Sequence, residues 1–437
     1  VSPAAGARAR LEDCFRAAVA AADAGAALER VLVRDGERLL VAGEPLPDRA
    51  RLVVLAAGKA AAAMAAAAER IAGDRIAAGL AVTKDGHGAR LARMPLREAA
   101  HPVPDARCEV AAREALALVS AARREDVLLV LLSGGASSLL AAPAPGLALA
   151  DLAETTRVLL SAGADIEELN VVRKHTSALA GGRLAQQAAC ARIELLAVSD
   201  VPGDRLDLIG SGPVSTDPSR YADALAAVDR RGARGRLPAR VRAHLEAGAA
   251  GRLAETPKPG DAGLARVRAR VIASNATARG AAAAAARTQG AQAIDLGAGL
   301  SGEARRAGAR LAGLVRALRG GHTRCLIAGG ETTVTVRGPG RGGRSQELAL
   351  AAALALAGEP RATLLAAGTD GSDGPTAAAG AFADGQTLAR ARQLGLDARA
   401  ALERNDSGGF FAREGGLFVT GPTRTNVMDL ALLWLDA

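Results

Sequence analysis

From Arg51 onward the chain repeats one rhythm: a short apolar run, a turn of small residues, then a longer Ala-rich stretch with charges at helical spacing. RLVVLAAGK leads into AAAAMAAAAERIA, and GLAVTKDGHG, DVLLVLLSGG and IELLAVSDVPGD each bring a strand-like run to a polar turn. Strands alternating with helices in this way predict an α/β fold built on a doubly wound, mainly parallel sheet. Upstream, residues 8–32 carry Ala, Leu and charges at helical spacing and tolerate Gly25, and LVRDGERLLV predicts a hairpin turning at Asp35-Gly36. Residues 247–263 form a loop rich in Gly, Pro and Thr. It need not mark a domain boundary, because ARVIASNATARG resumes the strand–helix pattern.

The texture changes near Arg324, where CLIAGGETTVTVRGPGRGGRSQELALAAALALA sets two strand-like runs, a Gly-rich loop and a helix in close succession. Two domains are therefore expected, 1–322 and 323–437, with residues 1–48 able to pack on the C-terminal one. A length of 437 residues suits two or three domains. No repeat of fixed period occurs.

Composition narrows the function. About half the residues are apolar and only 2% aromatic, so the cores must be filled by Ala, Leu and Val. The net charge of +9 comes almost wholly from Arg, since the lysines are only Lys59, Lys84, Lys174 and Lys258. The basic residues are interleaved with acids and lack aromatic company, which argues against nucleic acid as a partner. Cys14, Cys108, Cys190 and Cys325 form no C-x-x-C pair, so neither a zinc site nor a disulfide framework is expected. No apolar leader or membrane-length run stands out, and the expectation is a soluble, cytoplasmic protein with no membrane partner.

The chemistry gathers where strands end. Gly58-Lys59, Thr83-Lys84-Asp85, Ser133-Gly134-Gly135, Ser199-Asp200 and Thr369-Asp370 all stand at the carboxyl ends of strand-like runs, where open α/β sheets bind ligands. Turn and cap statistics account for any one of them, but five together, two delivering a lysine, point to a site. Lys59 can reach a phosphate as a point charge, although no Walker A loop exists in the chain. The loop Ser133–Ser138 offers backbone N–H groups and the hydroxyls of Ser133, Ser137 and Ser138, an anion cradle if a helix starts near Ser137. Gly338-Pro-Gly-Arg-Gly-Gly343 matches G-x-G-x-x-G. Pro339, Arg341, Arg344 and the distant Asp370 all count against a dinucleotide site there.

Among the acids, Asp200, Asp204, Asp370 and Asp373 stand out. The GTDGSDGPT stretch lacks the EF-hand pattern but could give carboxylates to Mg²⁺ alongside substrate phosphates. His101 and His175 read as cap or network residues, and no Ser/His/Asp elbow is present.

Taken in order along the chain, AAGKAAAAM, VTKDGHG, HPVPD, LLSGGASSLL, LNVVRKHTSALAGGRLA, SDVPGDRLDLIGSGPVSTDP, SNATA, GGETTVTVRGPGRGGRSQELAL, GTDGSDGPTAAAGA, NDSGGFF and TGPTRTNVMDL resemble the class II glycerate kinases, whose C-terminal part is called the MOFRL domain. The resemblance implies a larger Rossmann-like domain, a smaller C-terminal α/β domain and an active site in the cleft between them. It implies transfer of phosphate from ATP, with Mg²⁺, to D-glycerate, usually at the 2-hydroxyl to give 2-phosphoglycerate. Lys59 then matches the family's active-site lysine and Arg344 its arginine. Asp200 and Asp370 match acidic positions, to serve as base or to hold Mg²⁺. Ser133, Gly134, Gly135, Ser137, Ser138, Arg173, Asn275 and Glu331 become candidates for substrate or phosphate contacts, Arg173 for a carboxylate.

This sequence departs from the family pattern at Ala180, Arg205, Ser345, Ser372 and Ala377. The Ala377 change weighs against an acidic role there. Two other readings stay open: an NAD(P)H-dependent hydroxypyruvate reductase, supported only by GPGRGG, and a non-catalytic binder of small anions. The sequence leaves the oligomeric state open, a homodimer included.

Overall fold

The structure, a computed structural model, describes residues 3–48, 50–318 and 321–437. By contacts the chain forms two compact units, Ala24–Ile272 and Val1–Asp23 with Ala273–Ala437. Residues 1–2, the start of the expected N-terminal domain, lie outside the described residues.

The unit Ala24–Ile272 opens with an antiparallel meander of β1 (Leu32–Asp35), β2 (Arg38–Val41) and β3 (Glu44–Pro45). Asp35 pairs with Arg38 across Gly36-Glu37, the tight turn that Asp-Gly forecast. A six-stranded sheet follows, of β4 (Leu52–Ala57), β5 (Ile76–Lys84), β6 (Leu96–Ala99), β7 (Val127–Leu132), β8 (Arg192–Val198) and β9 (Val267–Ala273), in the order β6-β5-β4-β7-β8-β9. The β4/β5, β5/β6, β4/β7 and β7/β8 pairs are parallel. The chain thus starts mid-sheet, winds to one edge, then returns to build the other half, so the order reverses between β4 and β7. That reversal is the doubly wound switch point, beside which such sheets hold ligands. LVVLAA and VLLVLL are buried at every position, as strands covered on both faces must be. Helices Leu149–Ser161, Ile166–Thr176, Tyr221–Arg230 and Ala239–Ala249 close around a separate core of Leu169, Tyr221, Val228 and Leu245.

The other unit carries a mixed sheet of β10 (Gln292–Asp295), β11 (Arg324–Gly330), β12 (Ala362–Gly368), β13 (Gly380–Asp384), β14 (Leu417–Phe418) and β15 (Asp429–Leu435), in the order β10-β11-β15-β12-β13-β14. The β10/β11 pair is parallel, and β15 inserts antiparallel between β11 and β12. Helices Ala304–Ala317 and Arg344–Ala355 bury Leu311, Leu348 and Leu350 in its core. Helix Pro3–Ala21 packs on helix Asn275–Thr288 and β12, and its Phe15 meets Phe418 edge-on at 5.2 Å.

Four expectations are revised. The 322/323 boundary falls inside the second unit, because β10 pairs in register with β11 and draws residues from Ala273 onward into that sheet. The expected helix 8–32 is two helices, Pro3–Ala21 and Ala24–Val31, parted where the chain leaves one unit for the other. Residues 1–48 divide likewise: the first helix joins the second unit and the meander joins the first. TTVTV is not a strand, because no partner strand lies beside it. Among the described residues Thr333 forms an isolated bridge with Glu303, through hydrogen bonds to Gly302 and Ala304, and Val336 is 74% exposed.

Candidate active site

Ala57 pairs with Leu132, so β4 and β7 end level and Gly58 and Ser133 leave the sheet side by side. Gly58 has φ +124°, and a Cβ there would lie 2.3 Å from Ser133 Oγ, so only glycine lets the two strand ends touch. The contact is then tied twice. Lys59 N–H donates to the Gly134 carbonyl (2.9 Å), and Ala60 N–H donates to Ser133 Oγ (3.0 Å) just before helix Ala61–Ala72. The Lys59 carbonyl is also held, by Thr83 Oγ1 at 3.4 Å and the His87 ring at 3.2 Å. The backbone of Lys59 is therefore fixed, while among the described residues its ammonium has no hydrogen-bond partner.

Asp200, past the end of β8, approaches from across the switch point. A Cβ on Gly134 would lie 1.8 Å from Asp200 Oδ2, so the missing side chain is what admits the carboxylate. Burial pushes the Asp200 carboxyl above the usual range and the Lys59 ammonium opposes that shift. No other residue among those described donates a hydrogen bond to this carboxylate. On the neighbouring glycine, a Cβ at Gly135 would meet the His101 ring at 2.9 Å and the Lys59 side chain at 3.5 Å. Burial, then the charges of Lys59, Lys84 and His87, lower His101 to about 4, so it is neutral near pH 7. Neither of its ring nitrogens has a partner among the described residues. His101 was read from the sequence as a cap or network residue; it stands instead as an unpaired neutral imidazole beside Lys59.

The loop after β7 is more self-contained than its sequence implied. Helix Ala136–Leu139 is one turn long. The N–H groups of Ala136, Ser138 and Leu139 return to the loop's own carbonyls at Ser133 and Gly135. Ser138 Oγ donates to the Gly135 carbonyl, and Ser137 Oγ meets Ser211 Oγ at 2.9 Å, which is tied to Asn170. Beyond the loop opens a cavity of about 340 Å³, lined by Ser137, Ser138, Arg173 and mainly aliphatic neighbours. Arg173 lies next to Lys174 on one helix, and the two differ sharply. Lys174 is buried against Asp207 (2.9 Å) and Asp217 (3.3 Å). Arg173 has no acidic partner among the described residues, and burial works against its charge.

The remaining candidates belong to the other unit. Arg344 begins its helix and is clamped by two carboxylates. Asp429 takes Nε and Nη2 at 2.5 and 3.0 Å, and Glu331 takes Nη1 at 2.7 Å. Burial pushes Asp429 up, and Arg344 opposes that shift. Asp373 caps the same helix, accepting from Ser345 N–H (3.0 Å) and Gln346 N–H (2.8 Å), and burial raises it to about 6. Asp370 is only partly buried; its Oδ1 accepts from Ser372 N–H and Oγ, and its other oxygen is open. Asn275 is buried and engaged: Nδ2 donates to the Val427 and Asp429 carbonyls, and Oδ1 accepts from Arg279. It braces the start of β15.

The G-x-G-x-x-G segment is occupied by protein. Its N–H groups at Arg337 and Gly338 donate to Asn405, that of Gly340 to the Arg404 carbonyl and that of Arg341 to Asp406. A Cβ at Gly340 would lie 2.5 Å from that backbone. The glycines serve close packing, and the N–H groups of Gly338, Gly340 and Arg341 are taken by protein. Asp429 and the unpaired state of His101 escaped sequence reasoning; an acid opening the otherwise apolar DLALLWL was the one available signal for Asp429.

A doubly wound switch point that presents a lysine beside a partly buried acid is the place where open α/β sheets hold their ligands. Residues 10–246 match the family described as "Domain of unknown function (DUF4147)" and residues 324–429 match the MOFRL family. Glycerate 2-kinase of Pyrococcus horikoshii is 38% identical, over 95% of this chain and 94% of its own. A relative from Agrobacterium vitis, provisionally named a hydroxypyruvate reductase, is 41% identical over 97% and 93%. The crystal structure of glycerate kinase from Thermotoga maritima is similar with a TM-score of 0.84, at 37% identity and covering 97% and 98% of the two chains. The chain belongs to the glycerate 2-kinase family with a MOFRL C-terminal part.

Proposed function

We propose that this protein transfers the γ-phosphoryl group of ATP to D-glycerate, at the 2-hydroxyl, giving 2-phosphoglycerate and ADP. The observation that carries the reading is Lys59 beside Asp200 at the switch point, an ammonium with no hydrogen-bond partner among the described residues next to a partly buried acid that only Gly134 admits. Phosphoryl transfer needs positioning, charge stabilisation and an acceptor for the alcohol proton. Lys59 neutralises the oxygens of the transferring group. Asp200, its pKa raised by burial, takes the hydroxyl proton as the new P–O bond forms and the bond to ADP breaks. His101, neutral, hydrogen-bonds a substrate oxygen without adding charge. Arg344, the arginine of the family resemblance, is held in its own unit by Asp429 and Glu331.

The open oxygen of Asp370 is a hard donor that suits Mg²⁺, which keeps most of its waters and takes one or two carboxylates plus phosphates. Asp370 would hold the ion that accompanies ATP, whose charge offsets that of the polyphosphate. Asp200 serves better as base than as metal ligand, because its neighbour is a cation. The four cysteines are free and buried, which supports a reducing, cytoplasmic setting. No helix among the described residues is long and apolar enough to cross a membrane.

The test is phosphorus NMR of the product from D-glycerate and MgATP. The resonance of 2-phosphoglycerate is expected; 3-phosphoglycerate would overturn the regiochemistry. NADH consumption with hydroxypyruvate, without ADP formation from glycerate, would overturn the kinase reading.

A further inference from the structure

The 340 Å³ cavity beside the β7 loop fits D-glycerate poorly. That acid carries oxygen on each of its three carbons, whereas the walls here are aliphatic: Leu140, Leu152, Leu179 and Pro213, with Val103 and Leu160 among the rest of the lining. Val103 is 67% and Leu160 56% exposed, so the lining presents two large apolar side chains to solvent. Such exposure is a cost unless something apolar and flat covers it. The volume lies within the range of pockets for organic ligands, which begins at about 300 Å³. Two features point to an anionic end on that ligand. Arg173 lines the cavity with no acidic partner among the described residues, although burial works against its charge. Ser137 and Ser138 also line it and belong to the loop whose Gly134 and Gly135 lie against Asp200, His101 and Lys59.

We propose that this cavity seats the nucleoside of ATP, the base against Val103 and Leu160 and a phosphate oxygen on the Arg173 guanidinium. The polyphosphate then follows the β7 loop to Lys59, and D-glycerate binds at the Lys59–Asp200 end. Aliphatic side chains suit the two faces of a purine, and a guanidinium suits phosphate bidentately. This inference rests on the kinase reading for the identity of the nucleotide. It assigns Arg173 to the nucleotide rather than to the glycerate carboxylate.

Two variants test it in the full chain. Leu160→Asp changes a side chain already exposed, and Ala153→Trp fills the cavity from helix Leu149–Ser161. Leu160→Asp is expected to raise KM for ATP about tenfold, as loss of apolar contact with one face of a ligand does, with KM for D-glycerate changed less than about twofold. Ala153→Trp is expected to abolish ADP binding measured by calorimetry, with the melting temperature confirming a folded chain. A rise in KM for D-glycerate with that for ATP unchanged would overturn the inference and give the cavity to the acid. No change in either constant would overturn it too. ADP titration separates the two readings. A wild-type chain that binds ADP in this cavity yet makes no phosphoglycerate would sink the kinase reading alone; active wild type with Ala153→Trp still binding ADP would sink the cavity assignment alone.

Discussion

Lys59 and Arg344 stand in similar places, each where a strand or loop gives way to a helix, yet they keep opposite company. The Lys59 backbone is tied on both sides while its ammonium has no hydrogen-bond partner among the described residues. The Arg344 guanidinium is filled by Asp429 and Glu331, and Asp429 is only 6% exposed. A cation held by its backbone and unpaired at its tip is available to a ligand, and the fold loses little when it goes. A cation clamped between carboxylates is part of the fold, and removing it strands a buried negative charge. The same contrast separates two of the acids raised by burial: Asp200 takes no hydrogen bond from any other described residue, and Asp373 accepts two backbone N–H groups.

The sharpest way to break this comparison is Asp200→Asn. Loss of the general base is expected to lower kcat by about 10²–10⁴-fold. Stability should hold or rise at neutral pH. A carboxyl whose folded pKa is raised stabilises only while protonated, and that contribution is lost as pH rises through its folded value. In the wild type, kcat should fall as pH drops through that same raised value. His101, lowered to about 4, is already neutral near pH 7, and a limb that survives in His101→Asn would assign it to Asp200 rather than to the imidazole. Arg344→Ala is expected to act on both axes, costing activity and about 2 kcal/mol of stability in denaturant titration. That is less than the ~3–5 kcal/mol of a fully buried pair, because Arg344 is about one third exposed. A variant with unchanged stability would show that the clamp contributes nothing to the fold.

The smallest effect belongs to Asp373. Its folded pKa of about 6 exceeds the ordinary 3.8, so the wild type should lose about 2 kcal/mol as pH rises from 4 to 6. Asp373→Asn should flatten that slope in thermal melts taken across the interval. A slope that persists would assign it to another group.

How far these pairings could be foreseen depends on their reach along the chain. Lys59 was legible because its signal is local, an apolar run ending in Gly-Lys before an Ala-rich helix. The parallel sheet was legible for the same reason, each strand announcing itself by composition. The admission of Asp200 by Gly134 was not, since the two residues lie in different strand–helix repeats and meet only through the strand order. Asp429 reaches Arg344 across 85 residues, with nothing near either to announce the pair. The glycines of GPGRGG show the opposite difficulty: close packing and phosphate binding both ask for glycine, and only the partners of the loop's N–H groups tell them apart.

The central claim is that the unpaired ammonium of Lys59 performs the transfer without supporting the fold. Measuring ADP release by Lys59→Ala at saturating D-glycerate and MgATP, beside its melting temperature, tests it most directly. Turnover should fall by at least about 10²–10³-fold, the usual loss for one electrostatic stabiliser, with the melting temperature unchanged. Turnover within about tenfold of wild type would contradict the account.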